Sequence, residues 1–391
     1  MLLNIAIGLA VVVVGLALWR PELRKQDTWR AMITPLASII GSGFLVLGPI
    51  LEHAYGGWGP AVMAALCVVA WGFGAAVRHN IAVIDTRPAA ATGGLETLAS
   101  ALLGFAFTIS VAYYLNLFGS FGLSLTPWDT PTNARLLTTA VYAVILVTGF
   151  TRGFGMLERM EYASVALKLA IIAGLFVGLA HYNWQAVAAQ DFHVGAPTVA
   201  GWGALTLAFG LIVTVQGFET SRYLGNAYSA ETRIKSMRWA QMLSTVIYMI
   251  YIGFVAYTFE PTGTELKETA IVDMMAVVAP ILPALLVAAA LAAQFSAAVA
   301  DTGGSGGLIA ELSRDRLKPR EAYVIVGVIG LALTWFSDVF TIIAYASRAF
   351  AAYYAVQAVI AARTATGLSR ATFAALAILG LVIAIFGQPV E

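Results

Sequence analysis

The sequence holds a single cysteine, Cys67, inside an apolar run. One thiol excludes a disulfide framework and a cysteine-based metal site. Histidine is nearly as sparse: His53, His79, His181 and His193 are scattered near the ends of apolar stretches. They read as interfacial residues, so no metal and no cofactor is expected. Charge is short as well, with Asp, Glu, Lys and Arg at 11%, where a soluble domain carries about 25%. The cations form no patch suited to nucleic acid. Missing too are the GxSxG, HExxH and GxxxxGK(S/T) patterns of hydrolases, metalloproteases and phosphate loops. No enzymatic constellation stands out, and without an ATP site any transport must be driven by a gradient or by exchange. The hydrophilic connections are short, which leaves no output domain for a membrane sensor.

Apolar surface dominates instead. Hydrophobic residues make up 60% of the chain and the mean hydropathy is +0.83. No soluble fold hides that much, so lipid is the expected solvent. A helix needs roughly 20 apolar residues to cross the hydrocarbon core. Qualifying windows begin near residues 2, 32, 58, 95, 134, 160, 200, 238, 277, 321, 340 and 370. Backbone polar groups in lipid must satisfy one another, which makes these twelve windows helices, and the alternation of a membrane barrel is absent. The expectation is an all-α integral membrane protein, one transmembrane domain over residues 1–391.

Loop charges test this map. With residues 20–30 on the cytoplasmic side and strict alternation after that, cytoplasmic connections receive 18 of the 22 Lys and Arg residues. The outer side receives only Arg135 and Lys267, and Lys168 and Arg348 fall inside spans. A positive-inside bias of this size requires the spans to be counted correctly. The map makes the chain a multi-pass protein of a cell membrane, of the bacterial inner-membrane kind, with both termini outside. Residues 2–19 lack a basic leader and a small-residue cleavage site, so they read as a retained helix and not a secretory signal.

Two spans are interrupted. Gly41-Ser42-Gly43 breaks the second, at 32–51, and Gln216-Gly217-Phe218-Glu219 breaks the seventh, at 200–223. The first runs outward and the other inward. Paired, glycine-interrupted helices of opposite direction mark the inverted repeats of secondary transporters. Each repeat then holds five helices, over 27–182 and 197–365, which number core helices 1 to 10. An extra helix precedes them at 2–19 and one follows at 368–388.

Four segments carry a family resemblance. Ile39-Ile40-Gly41-Ser42-Gly43-Phe44-Leu45 resembles the GSG-containing first core helix of amino acid–polyamine–organocation (APC) transporters. Thr92-Gly93-Gly94-Leu95 resembles that family's AGG-aromatic segment opening core helix 3. Gly217-Phe218-Glu219 is similar to its GFE segment in core helix 6. Ser313-Arg314-Asp315-Arg316-Leu317-Lys318-Pro319 is similar to its ARDGLLP segment after core helix 8. The resemblance spans nearly the whole core and implies a 5+5 inverted-repeat, LeuT-like fold with discontinuous core helices 1 and 6. The chain departs from the pattern in its extra first helix and in Gly303-Gly304-Ser305-Gly306-Gly307, where members carry an Arg and bulky residues.

A broken helix frees N–H and C=O groups that need a ligand or a protein partner. At Ile40, Gly41, Ser42 and Gly43 the N–H groups and the half-helix dipole suit a carboxylate. At Gln216, Gly217 and Phe218 the carbonyls suit an ammonium. The competing reading is close helix packing by small residues. Lys168 is deep in core helix 5, where an intramembrane cation is a functional candidate by default. The resemblance implies that its ammonium takes the place sodium holds in sodium-coupled relatives, between helix 1 and the polar side of helix 8 near Ser296. The alternative is a lysine snorkelling to the cytoplasmic interface. The resemblance makes Glu219 a candidate gate or proton-sensitive carboxylate; it is otherwise a partner of Arg222 three residues on. The resemblance places Asp301 where members present a pocket-lining side chain; alternatively it caps a helix after a break at the glycines. Tyr113, Tyr114, Phe218 and Tyr345 are aromatic candidates for the cavity wall. Arg348 and Asp338 are expected to pair, and Trp58, Trp128, Trp184 and Trp202 to form an outer aromatic belt.

These readings converge on a secondary active transporter of amino acids or related amines, working by alternating access and proton-coupled or sodium-independent. Its partners are a small-molecule substrate, protons and membrane lipids; the sequence is silent on oligomeric state. The rivals are a carrier of inorganic or metal ions on the same architecture, and a non-transporting sensor.

Overall fold

The computed structural model describes the chain apart from residues 42, 87–92, 153–154, 226, 260–265, 315 and 391, with the side chains of 152–160 also left aside. Every described regular element is helical, and every one of the twelve expected windows is occupied by helix. The helices are α1 (Leu2–Leu18), α2 (Pro21–Arg24), α3 (Asp27–Ile39), α4 (Gly43–Tyr55), α5 (Gly59–Thr86), α6 (Gly94–Leu123), α7 (Pro131–Arg152) and α8 (Gly155–Ala189). After these come α9 (Gly201–Gly210), α10 (Ala230–Val255), α11 (Ala270–Val278), α12 (Leu282–Leu312), α13 (Pro319–Phe336), α14 (Val339–Thr364) and α15 (Gly367–Phe386). Among the described residues, eight helical stretches are long and apolar enough to cross a membrane by length and composition alone. The other expected windows differ for visible reasons: α1 has 17 residues, α3 and α9 are the halves of interrupted spans, and α10 opens on Glu231, Arg233, Lys235 and Arg238.

Local chemistry sets the ends. Proline stands at the first position of α2, α7 and α13, where its missing N–H is not needed and its fixed φ suits the turn. The Ser229 hydroxyl accepts from the Thr232 N–H to cap α10, and Asp338 accepts from the Thr341 N–H to cap α14. The core is built where α6 meets α12 and α14, and where α10 meets α3 and α5; α1 lies against α8, and α15 against α14. Small residues permit the close crossings. Gly174 and Gly178 of α8 face Ile7 of α1, and Gly380 of α15 faces Ala351 and Ala355 of α14.

Several expectations are corrected here. Helix α12 runs without interruption through Gly303–Gly307, so Asp301 is a mid-helix residue and caps nothing. Gly304 and Gly306 instead make room for the rings of Phe107 and Tyr323. Arg348 does not reach Asp338: its Nε donates to the Ala384 carbonyl of α15 at 2.8 Å, while Asp338 is occupied by Thr341. Tyr345 is 43% exposed and points away from the interior. Arg78, counted above among loop cations, is buried inside α5, donating to Gln241 and lying 4.6 Å from the Trp71 ring centroid. The four belt tryptophans are all exposed.

Candidate functional site

The first break separates α3 from α4. Ile40 leaves the helical region with φ −84° and ψ 55°. It is buried, as are Gly41 and Gly43, and Ser42 lies outside the described residues. Freed carbonyls at the end of α3 are met by side chains from other helices. Lys168 Nζ on α8 donates to the Ala37 carbonyl at 2.8 Å, and the Tyr248 hydroxyl on α10 lies 2.8 Å from the Ile39 carbonyl. Past the break, the Tyr251 hydroxyl donates to the Leu45 carbonyl at 3.0 Å.

The second break follows α9. The chain makes a short 3-10 turn at Ile212–Val215, becomes extended at Gln216, turns left-handed at Gly217 (φ +117°), and continues as a 3-10 helix over Phe218–Leu224. Gly217 is needed twice over. Its φ disfavours any side chain, and a Cβ there would stand 2.5 Å from Ser38 of α3. Ser347 of α14 repairs part of the lost ladder, donating to the Gly210 carbonyl at 2.7 Å and accepting from the Val213 N–H at 3.0 Å.

The two breaks touch. A Cβ on Gly43 would lie 2.9 Å from both the Thr214 Cβ and the Tyr113 hydroxyl. Tyr248 binds both: its hydroxyl lies 2.5 Å from the Thr214 carbonyl as well as near Ile39. A cavity flanking both breaks on the α5 and α10 side, lined by Ile39, Cys67, Gln241, Val215 and Tyr248, is about 10 Å³, close to the minimum for one water. This arrangement is therefore a closed one, with the breaks packed on each other.

Polar side chains surround the contact. Gln216 donates through Nε2 to the Tyr114 hydroxyl at 3.2 Å. Glu219 accepts through Oε2 from the Gly217 N–H at 3.0 Å and from the Tyr354 hydroxyl at 2.7 Å. Phe218 is fully buried and stacks on Tyr354 at 5.1 Å. Asp301 accepts from Ser110 of α6. The remaining oxygens, Gln216 Oε1 and Glu219 Oε1, are buried with no hydrogen-bond partner among the described residues. Buried acceptors are rarely left so.

Glu219 is not paired with Arg222. The backbone turn at Gly217 folds its carboxylate back onto the preceding N–H. Arg222 instead reaches across the bundle to Glu96, at 2.5 Å, and to Gln357 Oε1, at 2.8 Å. Asn80 adds a donor to the same Gln357 oxygen at 2.7 Å. This buried cluster joins α5, α6, α14 and the second break on the side that carries most of the cations. Lys168 does not snorkel, being 2% exposed. Its helix also bears Ser164, one turn earlier, which donates to Ser296 Oγ of α12 at 3.1 Å. Lys168, Ser164 and Ser296 are thus brought together beside α3.

Sequence reasoning missed Glu96, Gln357, Tyr248, Tyr354 and Gln294. Gln294 on α12 is fully buried, and neither atom of its amide has a hydrogen-bond partner among the described residues. It stands two turns before Asp301, on the same helix face. A glutamine within the apolar run 282–300 was the available signal.

Comparison with known proteins adds two findings. The family description "APC superfamily transporter" matches residues 21–387. An uncharacterized protein of Aquifex aeolicus (strain VF5) is 39% identical over 354 residues, covering 87% of this chain and 85% of its own length.

Proposed function

The chain belongs to the APC superfamily of transporters, and on that premise we propose that it is a secondary carrier of amino acids or related amines. One observation carries the reading: at the contact of two broken helices, two buried acceptors, Gln216 Oε1 and Glu219 Oε1, stand without donors among the described residues. An ammonium supplies up to three donors in a small volume. Neither Glu219 nor Asp301 meets a cation among the described hydrogen bonds and ion pairs. The centre is thus short of positive charge, which favours a solute that brings an amine. Ile40, Gly41 and Gly43 offer main chain to the other end of the solute, with Tyr113 beside them. Gln216, Gly217, Phe218 and Asp301 complete the binding side.

Entry requires the breaks to part, since Gly43 packs against Thr214 and Gly217 against Ser38. Alternating access then consists of one bundle rocking against the other around the site, with repeats over 27–182 and 197–365 and both termini outside. Lys168 sits at the carbonyl end of α3, where the half-helix dipole favours a cation. That supports a cycle in which Lys168, with Ser296 nearby, stands in for sodium and exchanges a proton, while Glu219 gates.

The test is uptake into proteoliposomes without sodium, with and without an inward proton gradient, preceded by a thermal-shift screen of amino acids and amines. A bound solute raises apparent stability with concentration. The reading expects at least one amine-bearing solute to do so and to accumulate with the gradient. Stabilisation by inorganic cations alone, with no amine active, overturns it.

A further inference from the structure

Helix α10 carries a stripe that no part of the transport reading uses. Lys235, Trp239, Met242 and Val246 recur at helical spacing and are all exposed. On each side of this ridge lies a cleft. The one against α3 is about 590 Å³ and adds Gln26, Thr28, Trp29 and Met32. The one against α5 is about 760 Å³ and adds Ala82, Asp85, Ile234 and Arg238. Lys235, Trp239 and Met242 line both. Each volume falls in the range of about 300–1,000 Å³ typical of ligand sites.

We infer that the two clefts hold one anionic phospholipid, its phosphate at Lys235 and its two acyl chains lying either side of the Trp239 ridge. Depth is the first argument. At about 1.5 Å of rise per residue, Trp239 lies about 6 Å below Lys235, Met242 about 10 Å and Val246 about 16 Å. Charge, indole and then hydrocarbon follow one another as they do through one leaflet. Shape is the second: a ridge with a cleft on each flank suits an occupant with one head and two tails.

Charge is the third argument. In the α3 cleft Lys235 is the sole ionised lining residue among the described residues, accompanied by the polar Gln26 and Thr28. In the α5 cleft Lys235 and Arg238 face Asp85 and Glu231, but Asp85 also interacts with the Arg233 guanidinium. The excess lies on the α3 side, where Lys235 meets no carboxylate among the described lining residues, and cationic positions between membrane helices take anionic head groups. The occupant would rest on the first turns of α3, whose other end is held by Lys168 through Ala37.

Purified protein in phosphatidylcholine vesicles would be titrated with phosphatidylglycerol or phosphatidylcholine carrying brominated chains, reading tryptophan quenching. Transport is not needed for this readout, so it stands apart from the carrier assay. The wild type is expected to show a saturable quench that prefers phosphatidylglycerol. Lys235→Gln should lower that preference about fivefold, as expected for one surface cation, and Trp239→Phe should reduce the saturable quench, with Trp29 of the α3 cleft reporting the remainder. Arg30→Gln, an exposed cation outside both clefts, should leave the preference unchanged. Equal quenching by the two lipids, an unaltered preference in Lys235→Gln, or an equal loss in Arg30→Gln overturns the inference.

Discussion

Cutting the Glu96–Arg222 pair should open the cation-rich side of the bundle, and the native cysteine can report it. The guanidinium and carboxylate are 2.5 Å apart, with side-chain exposures of 9% and 10%, and Gln357 holds the guanidinium from the other side. Removing one partner of a buried pair typically costs about 3–5 kcal/mol, because the other charge is stranded. In an opened conformation the stranded charge meets water, so most of that cost falls on the closed state. A difference of about 3 kcal/mol changes the closed-to-open ratio roughly a hundredfold. Cys67 is buried and lines the small cavity that flanks both breaks. Its alkylation by a membrane-permeant maleimide is slow when the breaks are packed and fast when they part. Arg222→Ala and Glu96→Gln should each accelerate labelling by one to two orders of magnitude at the limit set by that ratio. The exchanged double variant, Glu96→Arg with Arg222→Glu, should restore slow labelling. A folded Arg222→Ala protein that labels at the wild-type rate would refute the lock.

Three further outcomes follow from the same geometry. Lys168→Ala should abolish the pH dependence of uptake in proteoliposomes, and unchanged dependence removes Lys168 from the cycle. Gly217→Ala meets both a positive φ and a Ser38 contact at 2.5 Å, so apparent stability in a thermal melt should fall by about 1–3 kcal/mol, while Gly253→Ala, with open space around it, should not fall. Asp338 is pushed up by burial but pulled further down by the Thr341 hydroxyl and N–H, leaving its carboxyl below the usual range. A depressed carboxyl contributes stability above its unfolded pKa and loses it as pH falls through the folded one. Asp338→Ala should therefore cost about 1 kcal/mol at neutral pH, and the gap to wild type should close in acid melts.

The helices and the two interruptions were legible because each rests on local composition. Gly41 and Gly43 stand in an otherwise apolar span, and Gln216-Gly217 in another, so the cost of unpaired main chain in lipid is visible in the string of residues. Lys168 was legible for the same reason. The partners were not. Arg222 has a carboxylate three residues away, yet the left-handed turn at Gly217 aims Glu219 backward, and Glu96, 126 positions earlier, takes its place. Asp301 looked like a cap because five residues rich in glycine follow it. The stretch is helical all the same, with Gly304 and Gly306 packed under the rings of Phe107 and Tyr323, a tertiary contact with no local sign. Arg348 and Asp338 have opposite charge, but ten residues of helix hold them about 15 Å apart.

Tyr248 has one proton and two claimants, the carbonyls of Ile39 and Thr214. Neither claimant can retreat without ceding that proton entirely to its rival. The hydroxyl on α10 is thus shared only while the interruptions are together, and it follows one of them when they part. A phenylalanine in its place would leave both carbonyls without that donor in the packed arrangement, so the packed arrangement is the one it weakens.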